Sequence, residues 1–190
     1  MKKILLILTA SFIYCAAMAQ SNGNKIPAID KSPMDMVYYP VNYPVLKIQD
    51  KTTEPLVARV IYSRPLKNNR TVFGELVEYN KVWRLGANEA TEIEFYRDVK
   101  IGGKKVAKGK YTLYAVVKPE QWTMIINKEN DTWGAFKYDE KKDVVRVDVP
   151  VVKRAEAVDA FTMVFDKTAS GINLNVVWDQ SEVSLPIALK

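Results

Sequence analysis

Three arginines, one asparagine, two glutamates and two tryptophans carry most of the chemistry this chain can offer. The stretch Trp83-Arg84-Leu85-Gly86-Ala87-Asn88-Glu89-Ala90-Thr91 sets an aromatic, a guanidinium, a glycine, an amide and a carboxylate side by side. Arginine presents a planar fork that suits carboxylate or phosphate. Asn88 adds an amide, and Glu89 a carboxylate able to hold Arg84 in place. Arg64 and Arg70 precede the stretch, and their convergence with Arg84 would build a carboxylate- or phosphate-sized site. Trp83 and Trp133 fall in loop-like contexts where an indole could stack on a sugar ring, with Tyr111 and Tyr138 as further aromatics. Trp122 and Trp178 fall on strand faces and read as core.

A plainer reading stands beside this one. Gly86 supplies a backbone angle that other residues resist. Asn88 tolerates such angles and can bond its own backbone. The stretch is then a tight β-corner, with Arg84 and Glu89 as an internal ion pair, while Arg64 and Arg70 each bridge to separate surface carboxylates.

Whole classes of catalysis are excluded. The chain has no histidine and a single cysteine, Cys15. Ser-His-Asp and Cys-His mechanisms are therefore impossible, and so are ordinary zinc sites built from nitrogen or sulfur. Carboxylate chemistry stays open. A glycosidase needs two carboxyl groups about 5–5.5 Å apart if retaining, or about 6.5–9.5 Å if inverting. Glu75 and Glu89 are the pair to test, with Asp139 third. Asn127, Glu129 and Asp131 alternate like calcium ligands but lack the glycine and the closing glutamate of such loops. No metal and no cofactor is implied.

The elements that would position these residues are strands. Residues 56–63 are β-branched and stop at Arg64-Pro65, where proline removes a ladder donor. Residues 91–97 alternate as a half-buried strand. Gly102-Gly103 is a two-residue hairpin signal. Further strands are expected over residues 109–117, 122–127, 143–152, 160–166, 172–178 and 181–189, with a bend at 153–157. Residues 72–77 read as a short helical turn, with Phe73 and Leu76 pointing inward as a plug. About nine short strands with no long helix predict an all-β fold, an antiparallel β-sandwich of jelly-roll-like or barrel-like form.

The N-terminus reads as a targeting segment. Lys2 and Lys3 precede a short apolar run, and Ala17-Met18-Ala19 is a small-x-small cleavage site. The predicted division is a signal peptide at 1–19, an extended polar leader at 20–47 and one β-sandwich domain at 48–190. The apolar run is too short to span a bilayer, so no transmembrane segment follows cleavage. Tyr14 argues against lipidation through Cys15. The expected location is periplasmic or secreted. The net charge of +6 is scattered among acidic residues rather than gathered in a stripe. Nucleic acid is thus not an expected partner.

Several segments together resemble the bacterial domain-of-unknown-function family numbered 2911. They are Tyr62-Ser63-Arg64-Pro65, Arg70 with Phe73-Gly74-Glu75-Leu76-Val77, Val82 through Thr91, Gly109-Lys110-Tyr111-Thr112-Leu113, Trp122 with Ile125-Ile126-Asn127, Trp133-Gly134-Ala135-Phe136 with Tyr138-Asp139, and Asp143 with Val145-Arg146-Val147. The resemblance spans roughly residues 48–190. It implies an exported bacterial protein with a β-rich domain and brings no activity or site residue. The expectation is a monomeric, non-enzymatic module that binds a small polar, anionic or carbohydrate-like ligand, or an envelope protein. The alternatives are a hydrolase using Glu75 and Glu89, and a structural envelope protein.

Overall fold

A computed structural model describes residues 26–189. The expected signal segment, with Cys15, lies outside the described residues. The chain divides into a short N-terminal unit ending at Asp30 and a unit from Lys31 to the C-terminus. Of the first unit, residues 26–30 are described and carry no regular secondary structure.

The second unit is nearly all β, with two antiparallel sheets and no long helix among the described residues. The seven-stranded sheet runs in the order β1 (Met34–Tyr39), β2 (Ala58–Ser63), β4 (Glu92–Phe95), β7 (Gly109–Val117), β8 (Gln121–Asn127), β9 (Asp143–Pro150), and β3 (Val82–Trp83) pairs with β7. The second sheet is β10 (Val152–Thr168), β11 (Gly171–Ala188), β5 (Val99–Ile101) and β6 (Lys104–Val106). A single-turn helix, α1 (Tyr43–Ile48), joins β1 to β2. No described helix is long and apolar enough to cross a membrane.

The all-β expectation holds, with eleven strands rather than nine. The differences have local causes. Residues 34–39 lie in the proline-rich leader, yet they pair with β2 over six residues from Met34↔Ser63 to Tyr39↔Ala58. The leader expected at 20–47 therefore supplies the edge of the sheet. Residues 153–157 are not a bend but the exposed start of β10, which shifts register between Lys153 and Val158. Residues 172–178 and 181–189 belong largely to one strand, β11, with a positive φ at Asp179 where two strands were expected. Residues 72–77 form no helix. Val77 N–H reaches Val72 C=O, and Gly74 N–H reaches Val77 C=O, which closes a compact loop.

Period-two alternation sends one face of each sheet into a shared core. Val60 and Tyr62, Ile93 and Phe95, Leu113 and Ala115, Trp122 and Met124 face Phe161, Met163, Phe165, Leu174, Val176 and Trp178. The Tyr62 hydroxyl accepts from Met163 N–H and donates to its carbonyl, which ties sheet to sheet. Phe73 fills one end as expected, packing on Trp83, Trp122 and Trp178. Leu76, expected to join it, is exposed instead.

A smaller apolar cluster covers the opposite face of the large sheet. Ala90, Tyr114 and Ile125 are buried there, with Val82, Val116, Ala135 and Tyr138 packed on them. Central strands β7 and β8 are thus covered on both faces. The loop after β8 does the covering and builds the candidate site.

Candidate functional site

Hydroxyls and backbone groups, not an ion pair, hold the corner at 84–91. Ser63 Oγ accepts from Ala87 N–H and donates to Ala87 C=O, both at 2.6 Å. Thr91 Oγ1 donates to Leu85 C=O, and Thr91 N–H to Arg84 C=O. Trp83 Nε1 donates to Gly86 C=O at 3.1 Å. Gly86 has φ +150°, and an added Cβ would sit 2.7 Å from Ser63 Oγ. Leu85 and Asn88 also hold positive φ, a conformation that costs most non-glycine residues about 1–3 kcal/mol. The corner reading of Gly86 and Asn88 is thereby given its geometry.

The ion pair expected to lock this corner does not form. Arg84 is half-buried, its Nε has no hydrogen-bond partner, and no ion pair reaches it among the described residues. Burial holds its guanidinium below the ordinary arginine value. Glu89 is exposed and forms a backbone bridge with Trp133.

Nor do the three arginines converge. Arg64 is spent on the sheet edge: it donates to Phe161 C=O and Thr162 Oγ1 and bridges Asp35 at 3.0 Å. Arg70 donates to the carbonyls of Lys67 and Leu66 within its own turn. The acceptors these two guanidiniums use lie on β1, on β10 and at residues 66 and 67. Glu75 is exposed beside Gly74, whereas Glu89 rims a pocket with Met34, Ile61 and Glu92. The two glutamates share none of the four pockets described.

The tryptophans separate sharply. Trp83 is 7% exposed and stacks on Trp178 at 5.9 Å. It belongs to the core, the plainer of the two readings of the tryptophans, and it touches the groove beside Arg84 rather than standing exposed as a stacking platform. Trp122 and Trp178 are core as expected. Trp133 is 61% exposed, and Phe136, three residues further along the loop, is 84% exposed.

Those two aromatics sit on a firmly held loop. Gly134 N–H donates to Asn88 C=O, and Ala90 N–H to Thr132 C=O, both at 2.9 Å. Thr112 Oγ1 donates to Glu129 C=O, and Tyr114 OH bonds Thr132 Oγ1. At its far end Asn127 Nδ2 donates to Asp139 C=O and Asp143 Oδ1. Tyr138 OH donates to the same Asp143 carboxylate, and burial followed by that bond raises the phenol above its ordinary value. Asn127, Glu129 and Asp131, the weak calcium-like alternation, are taken up by this scaffold. Asp131 bridges Lys110 and Glu129 bridges Lys142.

The loop leaves a depression on each side of Phe136. One is a groove of about 280 Å³ lined by Leu76, Glu78, Lys81, Val82, Arg84 and Phe136. The other is a basin of about 530 Å³ lined by Tyr114, Asn130, Thr132, Trp133, Phe136 and Lys137, among others. Small-molecule sites run to about 300–1,000 Å³ and combine apolar walls with a few placed polar groups. Asn130, Phe136 and Lys137 were not singled out from the sequence. The pairing of loop 131–136 with residues 88–90, which fixes their position, is non-local.

This is an all-β, two-sheet domain with open depressions built by loops on one sheet face. The chain belongs to the family described as "Protein of unknown function (DUF2911)", whose model matches residues 45–187. No curated protein matches the chain. No solved structure matches it.

Proposed function

We propose that the domain is a non-catalytic, exported binding module that takes a small anion in the Arg84 groove. One observation carries this reading: a half-buried arginine whose buried Nε has no hydrogen-bond partner and which forms no ion pair among the described residues. An unmatched buried charged donor costs on the order of 1–3 kcal/mol or more. Folded proteins pair such groups, as this one pairs Arg64. A ligand carboxylate supplies the missing acceptor, and a charge-assisted bond is about twice as strong as a neutral one. Lys81 adds a second cation at the rim, while Leu76, Val82 and Phe136 offer apolar contact. The N-terminal pattern expected to be a targeting segment supports export, and Glu75 and Glu89, the carboxylates to test for hydrolysis, share no described pocket.

The test is calorimetric titration of the parent and Arg84→Met with galacturonate, benzoate and inorganic phosphate. At least one of these should bind the parent and lose tenfold or more in the variant, whose circular dichroism should match the parent. Binding that survives in Arg84→Met removes the reading.

A further inference from the structure

We infer that the ligand of this face is an acidic saccharide, held by its carboxylate in the Arg84 groove and by a neighbouring ring over Trp133 and Phe136. This rests on the anion reading of the Arg84 groove and extends it to the basin beyond. Phe136 lines both depressions, so they adjoin and one ligand can occupy both. Trp133 and Phe136 are the aromatics a packed core would have taken, yet both stand exposed. A mobile loop could account for that, but this loop is fixed at Asn88, Ala90, Thr112 and Tyr114. Aromatic faces held rigidly in solvent gain by meeting an apolar partner at little entropic cost. The Phe136 ring lies close over Gly134, whose φ is +68° and where an added Cβ would sit 2.7 Å from the ring.

The basin walls identify what sits on those faces. They set the aromatic faces of Trp133 and Phe136 among the polar side chains of Asn130, Thr132 and Lys137, a mixture that suits a ring with one apolar face and an edge of hydroxyls better than an acyl chain. Asn130 lines the basin, and its Oδ1 is buried without a donor. A sugar hydroxyl is the donor such an acceptor lacks, reached by a small adjustment of the side chain. The charges point the same way. Glu129 is matched by Lys142 and Asp131 by Lys110, which leaves Lys137 in the basin without an ion pair among the described residues. In the groove Lys81 and Arg84, the latter without an ion pair among the described residues, outnumber Glu78 and give the same sign. A pyranose ring has an apolar face for indole, an edge of hydroxyls for Asn130 and, in a hexuronic acid, a carboxylate for Arg84.

Calorimetry with trimers of galacturonic, mannuronic and guluronic acid, their methyl esters and the monomers decides the matter. At least one trimer should bind about tenfold or more tighter than its monomer. Trp133→Ala and Asn130→Ala should reduce that trimer to the monomer's affinity. Arg84→Met and esterification should each weaken it at least tenfold. Trimers no tighter than monomers, or an advantage untouched by Trp133→Ala, overturn the saccharide inference while leaving the anion reading in place. A protein in which no acid binds at all overturns both. Chemical denaturation of each variant separates lost binding from lost folding.

Discussion

Arg64 and Arg84 flank the same corner and have opposite fates. Arg64 finds a carbonyl, a hydroxyl and a carboxylate, and joins β1 to β10. Arg84 finds nothing among the described residues, although Glu89 is only five positions away. The difference lies in the backbone. Residues 84–91 turn through positive φ at Leu85, Gly86 and Asn88. That turn is satisfied by Ser63 and Thr91, so its charged side chains have no structural work left. Where the fold uses its polar groups inward, substitution should cost stability. Where it leaves them unpaired, substitution should cost binding.

The largest effect should fall on the side of the fold that is fully used. Trp83→Ala removes a buried indole from the Phe73–Trp122–Trp178 cluster and also its bond to Gly86. It should lower unfolding free energy by about 3–5 kcal/mol in urea titration. A loss under about 1 kcal/mol would mean the corner does not depend on its indole. Ser63→Ala comes next. It strips both partners from Ala87 and should cost about 1–3 kcal/mol, read in the same way. Arg64→Ala should cost about 1–2 kcal/mol and release β1 first. Hydrogen exchange should then rise in residues 34–39 before it rises in β7 or β8. Uniform acceleration across the sheet would show that Arg64 does not act as an edge lock.

These particulars show what was legible in the chain. Alternation placed Phe161, Met163 and Phe165 together, and likewise Ile172, Leu174, Val176 and Trp178, because period two is a local property. Gly102-Gly103 announced its hairpin for the same reason. The corner at Gly86 and Asn88 was legible because each residue type answers a backbone angle. Partner choice was not legible. That Arg84 would miss Glu89, or that Ser63 would hold Ala87, depends on contacts set by the whole sheet. Trp83 and Trp133 looked alike in sequence. They parted because β3 adds Trp83 to the inner face of β7, whereas loop 131–136 crosses the outer face. β1 was hidden by its prolines, since Pro33 and Pro40 bracket a strand that needs no ladder bonds beyond its one partner.

The smallest stability effect should be the most telling. Arg84→Met keeps the aliphatic stem against the groove and removes a charge that has no described partner. Unfolding free energy should stay within about 0.5 kcal/mol of the parent or rise. Arg64→Met, the same exchange a short distance away, should lose at least about 1 kcal/mol, because three acceptors are orphaned with it. Binding should show the reverse order: Arg84→Met loses the anion and Arg64→Met keeps it. In the parent, affinity for a monocarboxylate should fall as pH drops through about 4, where the ligand's own carboxyl takes up a proton while Arg84 stays charged. If both methionine variants destabilise equally and bind equally, the two guanidiniums do one job, and the unpaired Arg84 is no sign of a ligand.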